Sequence, residues 1–312
     1  MDMELNETQR AIEESLGRLL ARRAGPSRAR ELRKADDVDR LLMIDLNEAG
    51  FLDLFYDAET GPLMAALVTE WSATAAALAP IGARVLTAAS VMGDRLPLVI
   101  AVGERGRLEA VRFAAQADAL ILIDGDEAGV ASRGEFEASP VRTKFGYPMA
   151  RVGDYRLTRL APGAGAVARR WQRVALAAEM AGSARAAVDL TIRYLQDRVQ
   201  FDRPIASYQA IQHRLVECHV AADAAQWTAR EAAFRGAPAD LAAAAAITAC
   251  QAAHRIFYEL HQLTGAIGFT VEYDLHLFTT RLQALRLDMQ GVRGHARDLV
   301  AARWGAHATE RA

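Results

Sequence analysis

The sequence has only two cysteines, Cys218 and Cys250, in 312 residues. That excludes a disulfide framework and suits a reducing, cytoplasmic setting. The formal net charge is -2, so there is no cationic excess to neutralise nucleic-acid phosphates. No apolar run approaches the ~20 residues that cross a bilayer. The opening stretch MDMELNETQRAIEES is acidic and lacks an apolar centre, which predicts no secretory leader. No Gly-x-Gly-x-x-Gly follows a strand pattern, and there is no Walker loop and no Gly-x-Ser-x-Gly elbow. A di-iron bundle needs Glu-x-x-His pairs, and none occurs. His213 and Glu217 share a helical face, but a single such pair reads as a surface hydrogen bond, so no metal is expected. Both cysteines lie on apolar helical stripes and read as core.

The chain is 52% hydrophobic, enough for a sizeable core and for two or three structural units. The expected fold is mainly α. Residues 1–94 read as an N-terminal helical domain, 95–164 as a reduced antiparallel β middle domain, and 165–312 as an antiparallel four-helix bundle. In the first part, Asn6 and Gln9 have capping-box spacing ahead of a helix to about Arg22. Further helices are predicted over Asp36 to Ala49, from about Pro62, and from Pro80 towards Met92. Strands are predicted at Leu96 to Val102, Leu108 to Phe113 and Asp118 to Ile123. In the third part the helical period can be counted: Val174, Ala177, Ala181, Ala184, Val188, Ile192, Leu195 and Val199 step by three or four. Similar stripes run from Ile211 to Ala229, from Ile247 to Phe257, and from Leu275 through Phe278, Leu282, Leu285 and Met289 to Val292. Short breaks between them imply up-and-down packing. The many alanines bury little area each, which predicts dependence on a partner subunit.

The informative segment is Asp197 to His213, DRVQFDRPIASYQAIQH. Pro204 forces a corner, Ser207 can cap the next helix, and Arg198, Gln200, Arg203, Gln209 and Gln212 crowd the turn. On spacing alone this is a solvated helix–helix corner, although an arginine with glutamine donors also suits a diphosphate and an adenine edge. The segment resembles acyl-CoA dehydrogenases, whose corresponding turn reads Arg-x-x-Phe-Gly-x-Pro-Ile, then an aromatic, Gln, and often Gln-His. Arg198, Phe201, Pro204, Ile205, Tyr208, Gln209, Gln212 and His213 match. A second motif of that family, Gln-x-x-Gly-Gly-x-Gly-Phe followed by Glu, is similar to Gln262 through Phe269 and Glu272, with Ala266 at the second glycine. YDLHLFTTR, Tyr273 to Arg281, continues the similarity.

The resemblance implies FAD shared across a subunit interface. It would place Arg198, Gln200, Phe201, Tyr208 and Gln209 at the adenine–diphosphate clamp, with Gln262 and Gly265 approaching from the later loop. Arg173 matches a family arginine near the acyl-CoA pocket. The family's reaction needs a carboxylate to take the acidic α-proton, most often a Glu in the last helix just before a Gly. Gln290 stands there, before Gly291, and Val199 stands at the alternative base position in the earlier helix. Asp288 and Glu179 occupy neither. The family's Thr-Glu-Pro…Gly-Ser-Asp and Trp-Ile-Thr stretches, which hold the isoalloxazine, are missing. These departures imply a non-catalytic partner in a heteromeric dehydrogenase of acyl-CoA, of steroid side-chain or similar type, with the base on a larger subunit. Alternatives are a diverged homomeric dehydrogenase and a flavin-free acyl-CoA-binding or structural scaffold.

Overall fold

The computed structural model describes residues 4–58, 61–93 and 95–305. Residues 1–3 of the opening stretch and the boundary expected at 94 lie outside them. The N-terminal layer holds α1 (Glu7–Arg23), α2 (Pro26–Ala35), α3 (Arg40–Glu48) and α4 (Gly61–Thr74). Asn6 and Gln9 form the expected reciprocal cap: Gln9 N–H donates to Asn6 Oδ1 at 2.8 Å and Asn6 N–H to Gln9 Oε1 at 3.0 Å. The helix expected over Asp36 to Ala49 is shorter, and another precedes it. Pro26 opens α2 at a position where its missing N–H costs nothing. Asp36 ends α2 in a left-handed conformation, and Asp39 restarts the chain by accepting from Leu42 N–H at 3.2 Å. Arg28 Nε donates to the buried Asp39 carboxylate at 3.1 Å, so the cap is also an ion pair.

After α4, the segment expected as one helix from Pro80 contains a π-helical stretch, Ala83–Ala88, before α5 (Ala89–Met92). The β unit has seven short strands: β1 (Ile100–Glu104), β2 (Val111–Arg112), β3 (Ala119–Asp124), β4 (Glu127–Ser132), β5 (Phe136–Pro140), β6 (Met149–Tyr155) and β7 (Thr158–Arg159). They form two sheets, ordered β1-β3-β4-β7 and β2-β6-β5. All pairings are antiparallel except β1 with β3, which run parallel with Ile100 opposite Ala119. The run Ala119 to Ile123 is buried throughout, as befits a strand covered on both faces. Ile121 packs with Ile100 and Ala88 on the helical side, while Leu120 and Leu122 join the main core.

The rest is helical: α6 (Ala164–Asp197), the two-stranded corner β8 (Val199–Gln200) and β9 (Arg203–Pro204), α7 (Gln209–Phe234), α8 (Ala239–Thr264), α9 (Leu275–Leu285) and α10 (Gly291–Trp304). The counted stripe on α6 is buried from Val174 to Leu195, apart from the half-buried Ile192. Cys218 and Cys250 are both buried and free. Helix α4 is apolar nearly all round because it lies between the N-terminal layer and α6. At their crossing, a Cβ on Gly182 would stand 2.0 Å from the Glu70 carbonyl oxygen, so only glycine lets the two backbones touch. The fourth bundle helix expected as one stripe is broken. Met289 and Gln290 both take left-handed conformations, φ 47° and 68°, which no helix continues through.

Candidate functional site

Two groups of residues lie at one end of the bundle. In an up-and-down arrangement, the end of α6, the start of α7 and the end of α8 come together. Tyr273 Oη fastens that end by donating to the Leu190 carbonyl at 2.9 Å. The corner is a tight hairpin whose central residues, Phe201 and Asp202, have φ of 55° and 65°. Such two-residue turns ordinarily take Asn-Gly, and a bulky residue there costs about 1–2 kcal/mol. The strained turn leaves Phe201 85% exposed. Arg203 stacks over the Tyr208 ring at 3.9 Å, and Tyr208 Oη donates to the Gln200 carbonyl at 3.4 Å. Ser207 caps nothing; its hydroxyl donates back to the Pro204 carbonyl. The Arg198 guanidinium meets no carboxylate among the described residues, and Gln209 is exposed. Gln200 donates to the Val199 carbonyl at 2.8 Å, leaving its amide oxygen free.

From α8, Gln262 and Gly265 are exposed beside the buried His261. His261 lies between Phe257 and Phe269 and meets Thr279 Oγ1 at 3.1 Å. Burial lowers its pKa. A Cβ on Gly268 would stand 2.0 Å from Thr264 Oγ1, so the glycine is what lets the loop fold against the helix end. The motif residues thus sit on one strained turn, at Phe201 and Asp202, and one closely packed turn, at Gly268. Their donor set, one guanidinium with amides beside an exposed phenyl ring, fits the adenine–diphosphate end of a flavin dinucleotide.

The second place is a cleft of about 500 Å³ between the β unit and the α9–α10 break. Gln290 lines it, but from the break rather than from within a helix as expected. Val199, at the alternative base position, is likewise not helical; it opens β8 and is 53% exposed. Helix α9, at 11 residues, sets this cleft about 16 Å along the bundle from the loop before it. Within one chain, the turns and the cleft are therefore separate.

Arg112 on β2 lines the cleft and enters between Asp288, which also lines it, and the nearly buried Glu179 of α6. It donates to Glu179 at 3.0 Å and to Asp288 at 3.1 Å. Tyr147 Oη donates to the other Glu179 oxygen at 2.9 Å, and Arg281 Nε stands 3.9 Å away. Burial alone lowers the Arg112 pKa, but the two carboxylates outweigh it and hold the guanidinium protonated. Burial, with Glu179 beside it, pushes the Tyr147 hydroxyl up to about 12. Neither carboxylate is a free base. No sequence motif marks Arg112, which lies on a two-residue strand.

Arg173 stands apart from the cleft. It is buried, donates from Nε to His295 Nδ1 at 3.3 Å, and pairs with Asp298. These contacts tie α6 to α10.

The family described as acyl-CoA dehydrogenase, C-terminal domain, matches residues 166–305. Acyl-CoA dehydrogenase IpdE2 of Mycobacterium tuberculosis is 28% identical over 292 residues, 88% of this chain and 91% of that one. A chain of the ChsE4-ChsE5 complex from Mycobacterium tuberculosis superposes with a TM-score of 0.81 at 22% identity, covering 100% of both chains. A chain of the Tcur3481-Tcur3483 steroid ACAD gives 0.79 at 19% identity, covering 97% of this chain and 99% of that one. The two structures share the fold; the matched bundle and the relative of similar length carry more. On these grounds residues 166–305 match the acyl-CoA dehydrogenase C-terminal domain, and the chain along most of its length is similar to an acyl-CoA dehydrogenase.

Proposed function

We propose that this chain is the non-catalytic subunit of a heteromeric, FAD-dependent acyl-CoA dehydrogenase. The observation that carries the reading is the cleft. Gln290 holds the base position with a neutral amide, and each carboxylate that lines the cleft is paired with an arginine: Asp288 with Arg112, Glu104 with Arg169 and Glu109 with Arg151. A diverged homomeric enzyme using Asp288 would have to break that ion pair first. Bound flavin would supply the hydride acceptor for α,β-dehydrogenation, and a base on a larger partner subunit would take the α-proton. This chain's part is to bind: Arg198 and Gln209 from the corner, with Gln262 from the loop, hold the adenine–diphosphate end from across the interface. Exposed apolar side chains at the same bundle end support a partner there; Val199, Phe201, Phe269 and Val271 are all more than half exposed.

The substrate class of this reading is an acyl-CoA of the steroid side-chain kind. A similarly folded chain described as a steroid ACAD supports it. A cytoplasmic complex fits the two free cysteines, and no helix among the described residues is long and apolar enough to cross a membrane.

The test is expression alone and together with a larger acyl-CoA dehydrogenase encoded beside it. With an artificial electron acceptor and short, long and steroid-type thioesters, the single chain is expected to show no turnover. The co-purified pair is expected to be yellow and active. Robust turnover by the single chain would overturn the reading, and a stable pair without flavin would favour a scaffold.

A further inference from the structure

The polar network beneath the cleft ends in a small internal cavity of about 10 Å³. Ser72 and Thr69 of α4 line it, with Gly82 from the turn that follows, Glu179 of α6 and Arg281 of α9. Every residue around it is buried. Two polar atoms there have no hydrogen-bond partner, Ser72 Oγ and Arg281 Nε. Their side chains belong to residues only 1% and 2% exposed, where an orphaned donor is costly and rare. Ser72 also departs from its helix neighbours. The Thr69 hydroxyl donates to the Ala65 carbonyl and the Thr74 hydroxyl to the Glu70 carbonyl, each four residues back. That local bond is open to any helical hydroxyl, and Ser72 does not make it. Arg281 spends both terminal nitrogens on the carbonyls of Ala73 and Ala77. Its Nε stands 3.9 Å from Glu179 Oε1. That is too long for a direct hydrogen bond and is a gap that a bridging molecule closes.

We infer that this cavity is a binding site for one buried water, which accepts from Arg281 Nε–H and the Ser72 hydroxyl and donates to Glu179 Oε1. Three bonds are the usual complement of an internal water, and the volume has room for one water and nothing larger. Glu179 Oε1 already accepts from Tyr147, and a carboxylate oxygen takes a second donor. The charges exclude an ion. An anion would face Glu179, and a cation would face Arg281. Only a neutral molecule that both donates and accepts satisfies all three groups. The water extends the network that begins at Arg112 in the cleft, through Glu179, to Ser72 on α4. The seam between α4, α6 and α9 is thereby closed by a polar bridge as well as by apolar packing. The inference rests on these groups alone and does not depend on the proposed function.

Crystals of the full chain, diffracting well enough to show ordered water, test it. One peak is expected, about 3 Å from each of Ser72 Oγ, Arg281 Nε and Glu179 Oε1. Ser72→Thr and Ser72→Val form a matched pair: they add the same bulk at position 72 and differ only in the hydroxyl. The threonine variant is expected to keep the peak and the valine variant to lose it. The valine variant should also melt several degrees below the threonine variant, because it strands Arg281 Nε. An empty cavity in the parent crystals would overturn the inference. So would a peak that bromide replaces on soaking, which would mark an anion site, or a valine variant that melts with or above the threonine one.

Discussion

Replacing Arg112 with methionine takes the cation out of a site whose acids stay behind. The Glu179 side chain is 10% exposed and that of Asp288 27%. Breaking a buried pair by removing one partner costs about 3–5 kcal/mol, because the surviving charge is stranded. The lower end applies here. Glu179 keeps the Tyr147 hydroxyl at 2.9 Å and Arg281 Nε at 3.9 Å, and Asp288 can turn towards solvent in the cleft. R112M is therefore expected to lose about 3 kcal/mol. E179Q in the same background removes the stranded charge but keeps the shape and the Tyr147 hydrogen bond. R112M/E179Q should thus be only about 1 kcal/mol below the parent, a recovery of about 2 kcal/mol, within the range for residues in one network. Urea unfolding of the parent, both single variants and the double variant measures the cycle. A cost below 1 kcal/mol for R112M, or a double variant no better than the sum of the singles, would refute the claim that Arg112 neutralises these acids.

Arg198→Ala in the assembled complex removes charge-assisted hydrogen bonds worth about 1.5–3 kcal/mol each, so flavin affinity should fall roughly tenfold to a hundredfold; an unchanged flavin-to-protein ratio after gel filtration would make the corner purely structural. Burial, reinforced by Arg173 and opposed by Asp298, lowers the His295 pKa from 6.5 to about 4. The unfolded chain then takes up that proton first, so stability is full above about pH 6.5 and falls as pH drops towards 4, by roughly 3 kcal/mol at most. Urea unfolding at pH 7 and pH 4.5 should show the parent losing more than His295→Gln, and equal losses would count against it. Asp202→Gly relieves a left-handed non-glycine residue at the corner and should raise the melting temperature by about 2 °C, worth up to about 1 kcal/mol; a lower melting temperature would mean that Asp202 makes a compensating contact.

The bundle was legible because its apolar residues recur at helical spacing and its breaks carry Pro204, Pro238 and Gly265. The Asn6 cap was legible because two polar residues at fixed spacing satisfy each other. The break between α9 and α10 was hidden. Leu285, Met289 and Val292 keep helical spacing through it, and periodicity does not register the φ reversal at Met289 and Gln290. Helix α2 was missed because its charged sequence, PSRARELRK, shows little apolar stripe; Pro26 was its one signal. The corner residues were visible through their motif. Arg112 and its two acids were not, since residues 112, 179 and 288 meet only through the fold.

The Gly182 contact fixes where this protein can open. With the backbones of α4 and α6 touching, sliding or rolling either helix would give up this close contact and the packing around it. The contact therefore favours the N-terminal layer and the bundle moving as one piece rather than hinging apart beside the cleft. Breathing is left to the β-unit wall and to the short break around Gln290. Any route by which this family line could regain or finally discard a pocket runs through those two segments, while position 182 stays closed even to alanine.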